Sequence, residues 1–116
     1  MIHFKNLVYL RMTRIFYKKY PKRNITIQFV DDLKDKNGRK IAGNCEFVSR
    51  NNYVISISAK VPVVGSLEVL CHELSHVAAG YKNNHNKVFK EKYKWLQDAF
   101  IKSCKRDKKL NQKTGE

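Results

Sequence analysis

Residues 66–80 read SLEVLCHELSHVAAG, and this stretch predicts the amphipathic helix around which the rest of the chain folds. Ser66 is expected to cap the start of the helix, and Gly80 to end it. The residues with apolar spacing that would face a core are Leu67, Leu70, Cys71, Leu74 and Ala78. A second face of the same helix is formed by Val69, His72, Glu73 and His76.

The second face contains the motif His72-Glu73-Leu74-Ser75-His76. Histidines four residues apart lie about 40° apart around a helix axis, so both imidazoles can reach one ion. Glu73 is rotated by about 100° from His72, which allows its carboxylate to lie beside an open coordination position without being a ligand. The pattern predicts that His72 and His76 bind zinc and that Glu73 is the general base that activates water.

A catalytic zinc site needs a third protein ligand. His85 is the first candidate, because a chain that reverses after Gly80 would bring it back to the metal, with Phe89 anchoring the next helix in the core. Glu91 is the rival third ligand. Tyr81 and Tyr93 are candidates to donate a hydrogen bond to the oxyanion of the transition state.

The segments before the motif predict one helix and three strands. Helical spacing of apolar residues runs from Ile2 to Tyr20, where Pro21 should end it. Alternating segments predict strands at 25–30, roughly 41–49, and 53–58, separated by polar turns that contain Asn37-Gly38 and Asn51-Asn52. The sequence therefore predicts an α+β fold with a three-stranded antiparallel sheet.

The segments after the motif predict one more helix and a tail. Apolar spacing indicates a helix of about Asn86 to Cys104. Residues 105–116 are charged and almost without apolar side chains, and are expected to be disordered. At 116 residues the chain is long enough for one domain only, which we place at residues 1–104.

Composition restricts the partners of the chain. The formal charge of +14, from 24 basic and 10 acidic residues, favours polyanions, with nucleic acid first and an anionic membrane surface second. The alternative explanation of this charge is that the Lys-rich composition reflects a compositionally biased genome. Three cysteines without a C-x-x-C pair argue against a disulfide framework and against a cysteine zinc ribbon, and they fit a reducing compartment.

Several segments together resemble the SprT-like, or Spartan-type, zinc metalloproteases. The likeness covers about residues 20–100 and rests on Ala42-Gly43-Asn44-Cys45, Ile55-Ser56-Ile57-Ser58, the motif from His72 to His76, and His85 followed by Phe89. It implies a minimal zincin fold, zinc held by His72, His76 and His85, Glu73 as catalytic base, and cleavage of proteins bound or crosslinked to DNA. Many members also carry a cysteine zinc ribbon that helps to bind DNA, and this chain lacks the cysteine pairs for one.

Three functions follow from these expectations. The first is a metalloprotease that acts on DNA-associated proteins, with sequence-independent DNA contact through the basic first helix, the last helix and the tail. The second is a zinc protease directed at one regulatory protein such as a repressor. The third is a basic DNA-binding module with a structural zinc. We expect a monomer that does not bind membranes and that is cytoplasmic or associated with DNA.

Overall fold

Three helices and one three-stranded sheet are formed by residues 7–80 and 85–114, the part of the chain that the computed structural model describes. In chain order the elements are α1 (Leu7–Lys19), β1 (Asn24–Val30), β2 (Gly43–Ser49), β3 (Asn52–Ser58), α2 (Val63–Ala79) and α3 (Lys87–Thr114). This is an α+β fold, as the sequence predicts. None of the described helices combines the length and the apolar character that a membrane span requires.

The sheet is mixed, so the prediction of a wholly antiparallel sheet is wrong. Its strand order is β1-β3-β2, in which β3 is antiparallel to β2 and parallel to β1. Strand β3 takes the centre because its side chains are buried on both faces, including Ile55, Ser56 and Ile57. Strand β2 carries the exposed Phe47 and Val48 and therefore lies at an edge. Alternation within each strand reveals its two faces, but it does not reveal which strands are neighbours.

The connection between β1 and β2 explains the error. The turn at Asn37-Gly38 forms, and Gly38 has a φ of +78°. However, it closes an isolated bridge between Lys34 and Lys40 instead of a hairpin between β1 and β2. The segment after β1 therefore does not return to pair with β1, and the position beside β1 is occupied by β3.

Helix α2 packs on the sheet and on both other helices. It begins at Val63, so Ser66 is not its N-cap, and the Ser66 hydroxyl is instead buried in a hydrogen bond with the Tyr9 hydroxyl of α1. Gly80 ends the helix as predicted, with a φ of +89° and its N–H donated to the carbonyl oxygen of His76 at 3.0 Å. Its inward face contributes Leu70, Cys71, Leu74, Val77 and Ala78 to the core.

Helix α3 continues to Thr114, so the predicted end at Cys104 is wrong. Residues 105–114 contain no Gly or Pro, and Lys, Arg, Leu and Gln favour a helix even where no apolar stripe continues. The predicted stripe packs inward, with Phe89 and Leu96 buried. Helix α1 lies against α3, where the Arg11 guanidinium donates to the Ser103 hydroxyl at 2.8 Å. The first part of the predicted N-terminal helix, before Leu7, lies outside the described residues.

Candidate metal site

The structure brings the three predicted ligands, His72, His76 and His85, together. Nε2 of His72 lies 3.2 Å from Nε2 of His76 and 3.1 Å from Nε2 of His85. One ring nitrogen from each of the three histidines lies within 4.8 Å of the other two. Two residues of one helix and one residue from beyond the next bend can therefore hold a metal ion jointly.

Imidazole nitrogens are ligands that zinc accepts, so the three histidines could hold such an ion. Three nitrogens bound to one tetrahedral zinc at about 2.0–2.1 Å would be about 3.3–3.4 Å apart, close to the separations from His72. A ring nitrogen has one hydrogen or one lone pair in the ring plane, so Nε2 of His72 is suited to one directed hydrogen bond. A shared cation would account for both of its close neighbours, whereas a single hydrogen bond would account for one.

His85 is positioned by the start of α3. The Asn86 side-chain oxygen accepts a hydrogen bond from the backbone N–H of Phe89 at 3.2 Å, which is the geometry of an N-cap. His85 precedes this cap with a φ of +58°, a left-handed conformation that His tolerates better than most residues. The capped helix start and this backbone turn together direct the imidazole toward α2.

Phe89 supports all three imidazoles. Its ring centroid lies 4.9 Å from that of His72, 4.4 Å from that of His76 and 5.1 Å from that of His85. The side chain is buried. The sequence predicted an anchor for His85, but it gave no sign that the same ring would touch the two helix histidines.

The helix histidines are held in the form that binds metals. Burial, with a smaller effect from His85, lowers the pKa of His72. Burial together with His72 and His85 lowers the pKa of His76 to about 4. Both imidazoles are therefore neutral near pH 7, with lone pairs available for a cation.

Glu73 lies beside the three histidines but does not belong to the group of potential metal ligands. Its side chain is 5% exposed, and burial raises its pKa to about 7. Within residues 7–80 and 85–114, no hydrogen bond or ion pair engages its carboxylate. A buried carboxyl group with a pKa near neutrality can both accept and return a proton.

A cavity of 690 Å³ opens onto these groups. Its walls include His72, Glu73 and His76 of the motif, His85, and the β2 residues Gly43, Cys45 and Phe47. Gly43 permits the close approach of α2, since a Cβ atom there would lie 2.3 Å from Cγ1 of Val69 and 3.3 Å from Oε2 of Glu73. Sequence reasoning missed this role, as well as the presence of Lys36, Phe47 and Tyr53 in the cavity.

The alternative site residues have different positions. Glu91 is exposed on α3 and does not belong to the group of potential ligands found among the described residues. Tyr93 lines a second cavity, together with His72 and Glu73. Burial raises the pKa of the Tyr93 hydroxyl. Tyr81 lies outside the described residues.

A separate basic aromatic surface is formed by Lys19, Tyr20, Arg23, Lys92 and Trp95. The Lys19 ammonium lies 4.4 Å from the Trp95 ring centroid, and the Tyr20 and Trp95 rings meet edge to face at 5.8 Å. The Arg23 guanidinium and the Lys92 ammonium lie 5.6 Å and 5.8 Å from the Tyr20 ring. The sequence shows no aromatic and basic interleaving of a recognised nucleic-acid module, and this surface is instead assembled from the end of α1, the turn that follows it and α3.

No family model, curated protein or solved structure matches the chain.

Proposed function

We propose that the chain is a zinc-dependent protease with a minimal zincin-like site, in which His72, His76 and His85 hold the metal and Glu73 is the general base. The observation that carries this proposal is the convergence of three histidine nitrogens within 4.8 Å next to a buried carboxylate that belongs to no ion pair of the described chain. Structural zinc sites are closed by four protein ligands, and catalytic sites use three. The histidine group described here has three members.

Different residues of the chain would carry out different parts of peptide-bond hydrolysis. Zinc held by the three imidazoles would lower the pKa of water and polarise a carbonyl group. A polypeptide substrate would lie between β2 and α2, where the outer edge of β2, which pairs with no other strand among the described residues, could pair with it. The Glu73 carboxylate takes a proton from the attacking water and passes it to the nitrogen of the leaving amine. The close contact with Gly43 restricts where that carboxylate can lie.

The decisive experiment compares Glu73→Gln with Glu91→Gln, a matched change at an exposed carboxylate. Glu73→Gln should retain zinc and lose cleavage of an unstructured protein such as casein by about 10²-fold or more. Glu91→Gln should retain both properties. Full cleavage by Glu73→Gln would rule out the proposed base. Zinc bound by an inactive wild-type protein would instead favour the structural-zinc function.

We further propose that the substrates are proteins bound to or crosslinked with DNA. The basic aromatic surface supports this part, because its cations can contact the phosphates of single-stranded nucleic acid and its half-buried aromatic rings can stack on the bases. Such contacts should be independent of sequence and sensitive to salt. If the wild-type protein does not bind single-stranded DNA at low ionic strength, a protease directed at one regulatory protein becomes the better function.

A further inference from the structure

Two neighbouring cavities between β2 and α2 share lining residues, and we consider them together as one candidate substrate cleft. The first has a volume of 690 Å³ and the second a volume of 380 Å³. Both are lined by Gly43, His72 and Glu73. The candidate base therefore lies at the junction of two arms, and a polypeptide in the cleft would extend to either side of it.

The cleft follows the direction of both elements that form it. The first arm reaches Phe47 near the end of β2 and His76 near the end of α2. The second arm reaches Ala42, just before β2, and Glu68 in the first half of α2. We name them the Lys36 arm and the Glu68 arm, after the charged residue that distinguishes each.

The two arms carry opposite charges. Apart from the shared Glu73 and the histidines, Lys36 is the charged residue that lines the first arm, and Glu68 is the charged residue that lines the second. Both side chains are exposed, and neither forms an ion pair with any other described residue. A charged substrate side chain can therefore approach each of them.

The loop that carries Lys36 is held by its own hydrogen bonds. Oδ1 of Asp35 accepts from the backbone N–H groups of Asn37 and Arg39, each at 2.9 Å. The bridge between Lys34 and Lys40 closes the base of the same loop. The Lys36 backbone thus has a defined position at the cavity wall, although its side chain is long and exposed.

We infer that the cleft selects polypeptides by the order of their charges: an acidic side chain in the Lys36 arm and a basic side chain in the Glu68 arm, on opposite sides of Glu73. This inference rests on the proposed function and specifies its substrate class. It differs from the effect of the net charge of +14, which favours acidic residues on both sides. An exposed charge pair contributes up to about a five-fold preference in each arm, and salt reduces it.

The test uses two fluorescently labelled peptides of identical composition. One has acidic residues before and basic residues after a fixed apolar centre, and the other has the reverse order. Their affinities are measured by fluorescence anisotropy with zinc-loaded Glu73→Gln, and their cleavage is measured with the protein that retains Glu73. We expect one order to bind several-fold more tightly, and the same order to be cleaved faster.

The matched variant is the double exchange Lys36→Glu with Glu68→Lys, which preserves the net charge. It should reverse the preferred order, and the single changes should each remove the preference in one arm. Lys102→Glu and Asp98→Lys, at exposed positions of α3 outside the cleft, should leave the preferred order unchanged. Equal binding of both peptides, or an unchanged order in the double exchange, overturns the inference. Charge-ordered binding without cleavage by the protein that retains Glu73 would preserve the inference and contradict the proposed function.

Discussion

The Phe89 ring lies with its centroid 4.4 Å from that of His76, at 35° to it, and it also contacts the other two candidate ligands. A side chain that packs against several ligands limits the rotation of each. The imidazoles therefore lose less conformational entropy when they bind a metal.

Replacement of Phe89 should therefore weaken metal binding. Phe89→Leu keeps the position apolar but removes the aromatic ring that contacts the imidazoles, and we expect zinc affinity to fall by about ten-fold or more. Competition with a chromophoric chelator measures the affinity. Phe100→Leu, at a half-buried position further along α3, is the matched change and should retain nearly full affinity. Equal losses in the two variants would show that Phe89 has no special role in the site.

The third ligand can be tested by comparing His85→Ala with Glu91→Ala. We expect His85→Ala to lose most of its bound zinc and the thermal stabilisation that zinc provides, because only two nitrogens of the group remain. Glu91→Ala should retain zinc at wild-type stoichiometry. Zinc content by mass spectrometry and Tm with and without a chelator measure both effects. Loss of zinc from Glu91→Ala alone would assign the ligand to the exposed carboxylate.

Gly43 and Val69 should be energetically coupled. A methyl group at residue 43 would collide with Cγ1 of Val69 at 2.3 Å, so Gly43→Ala should destabilise the fold by about 1–3 kcal/mol. Val69→Ala removes the colliding methyl, and the double variant should be less destabilised than the sum of the single changes. Urea unfolding of all four proteins measures the coupling. Strict additivity would mean that α2 can move away from β2 at little cost.

The basic aromatic surface can be tested through Trp95, the single tryptophan of the chain. Its fluorescence should change when a single-stranded oligonucleotide binds. Lys19→Glu should weaken binding at every sequence and reduce the slope of log affinity against log salt by about 0.7. Lys102→Glu makes the same change of charge elsewhere on α3 and should have a smaller effect. Equal effects of the two substitutions would indicate attraction by net charge alone.

The sequence by itself determined the local features that depend on near neighbours. The spacing of His72 and His76 placed both on one helical face, Gly80 ended that helix, and the alternating segments formed strands close to their predicted bounds. Each of these features follows from helix or strand periodicity and from the conformational freedom of glycine. The sequence also predicted that His85 would join these two histidines, and the structure places its ring beside that of His72.

Only the tertiary structure decided which distant segments became neighbours. The parallel pairing of β1 with β3, the approach of α2 to Gly43, the opposite charges along the cleft and the clustering of Lys19 with Trp95 each join residues far apart in the chain. Periodicity describes the two faces of an element and not the partner of either face. The partner of each face depends on how the whole core is buried at once. For this reason the candidate ligands could be predicted from the sequence, whereas the residues that line the cleft around them could not.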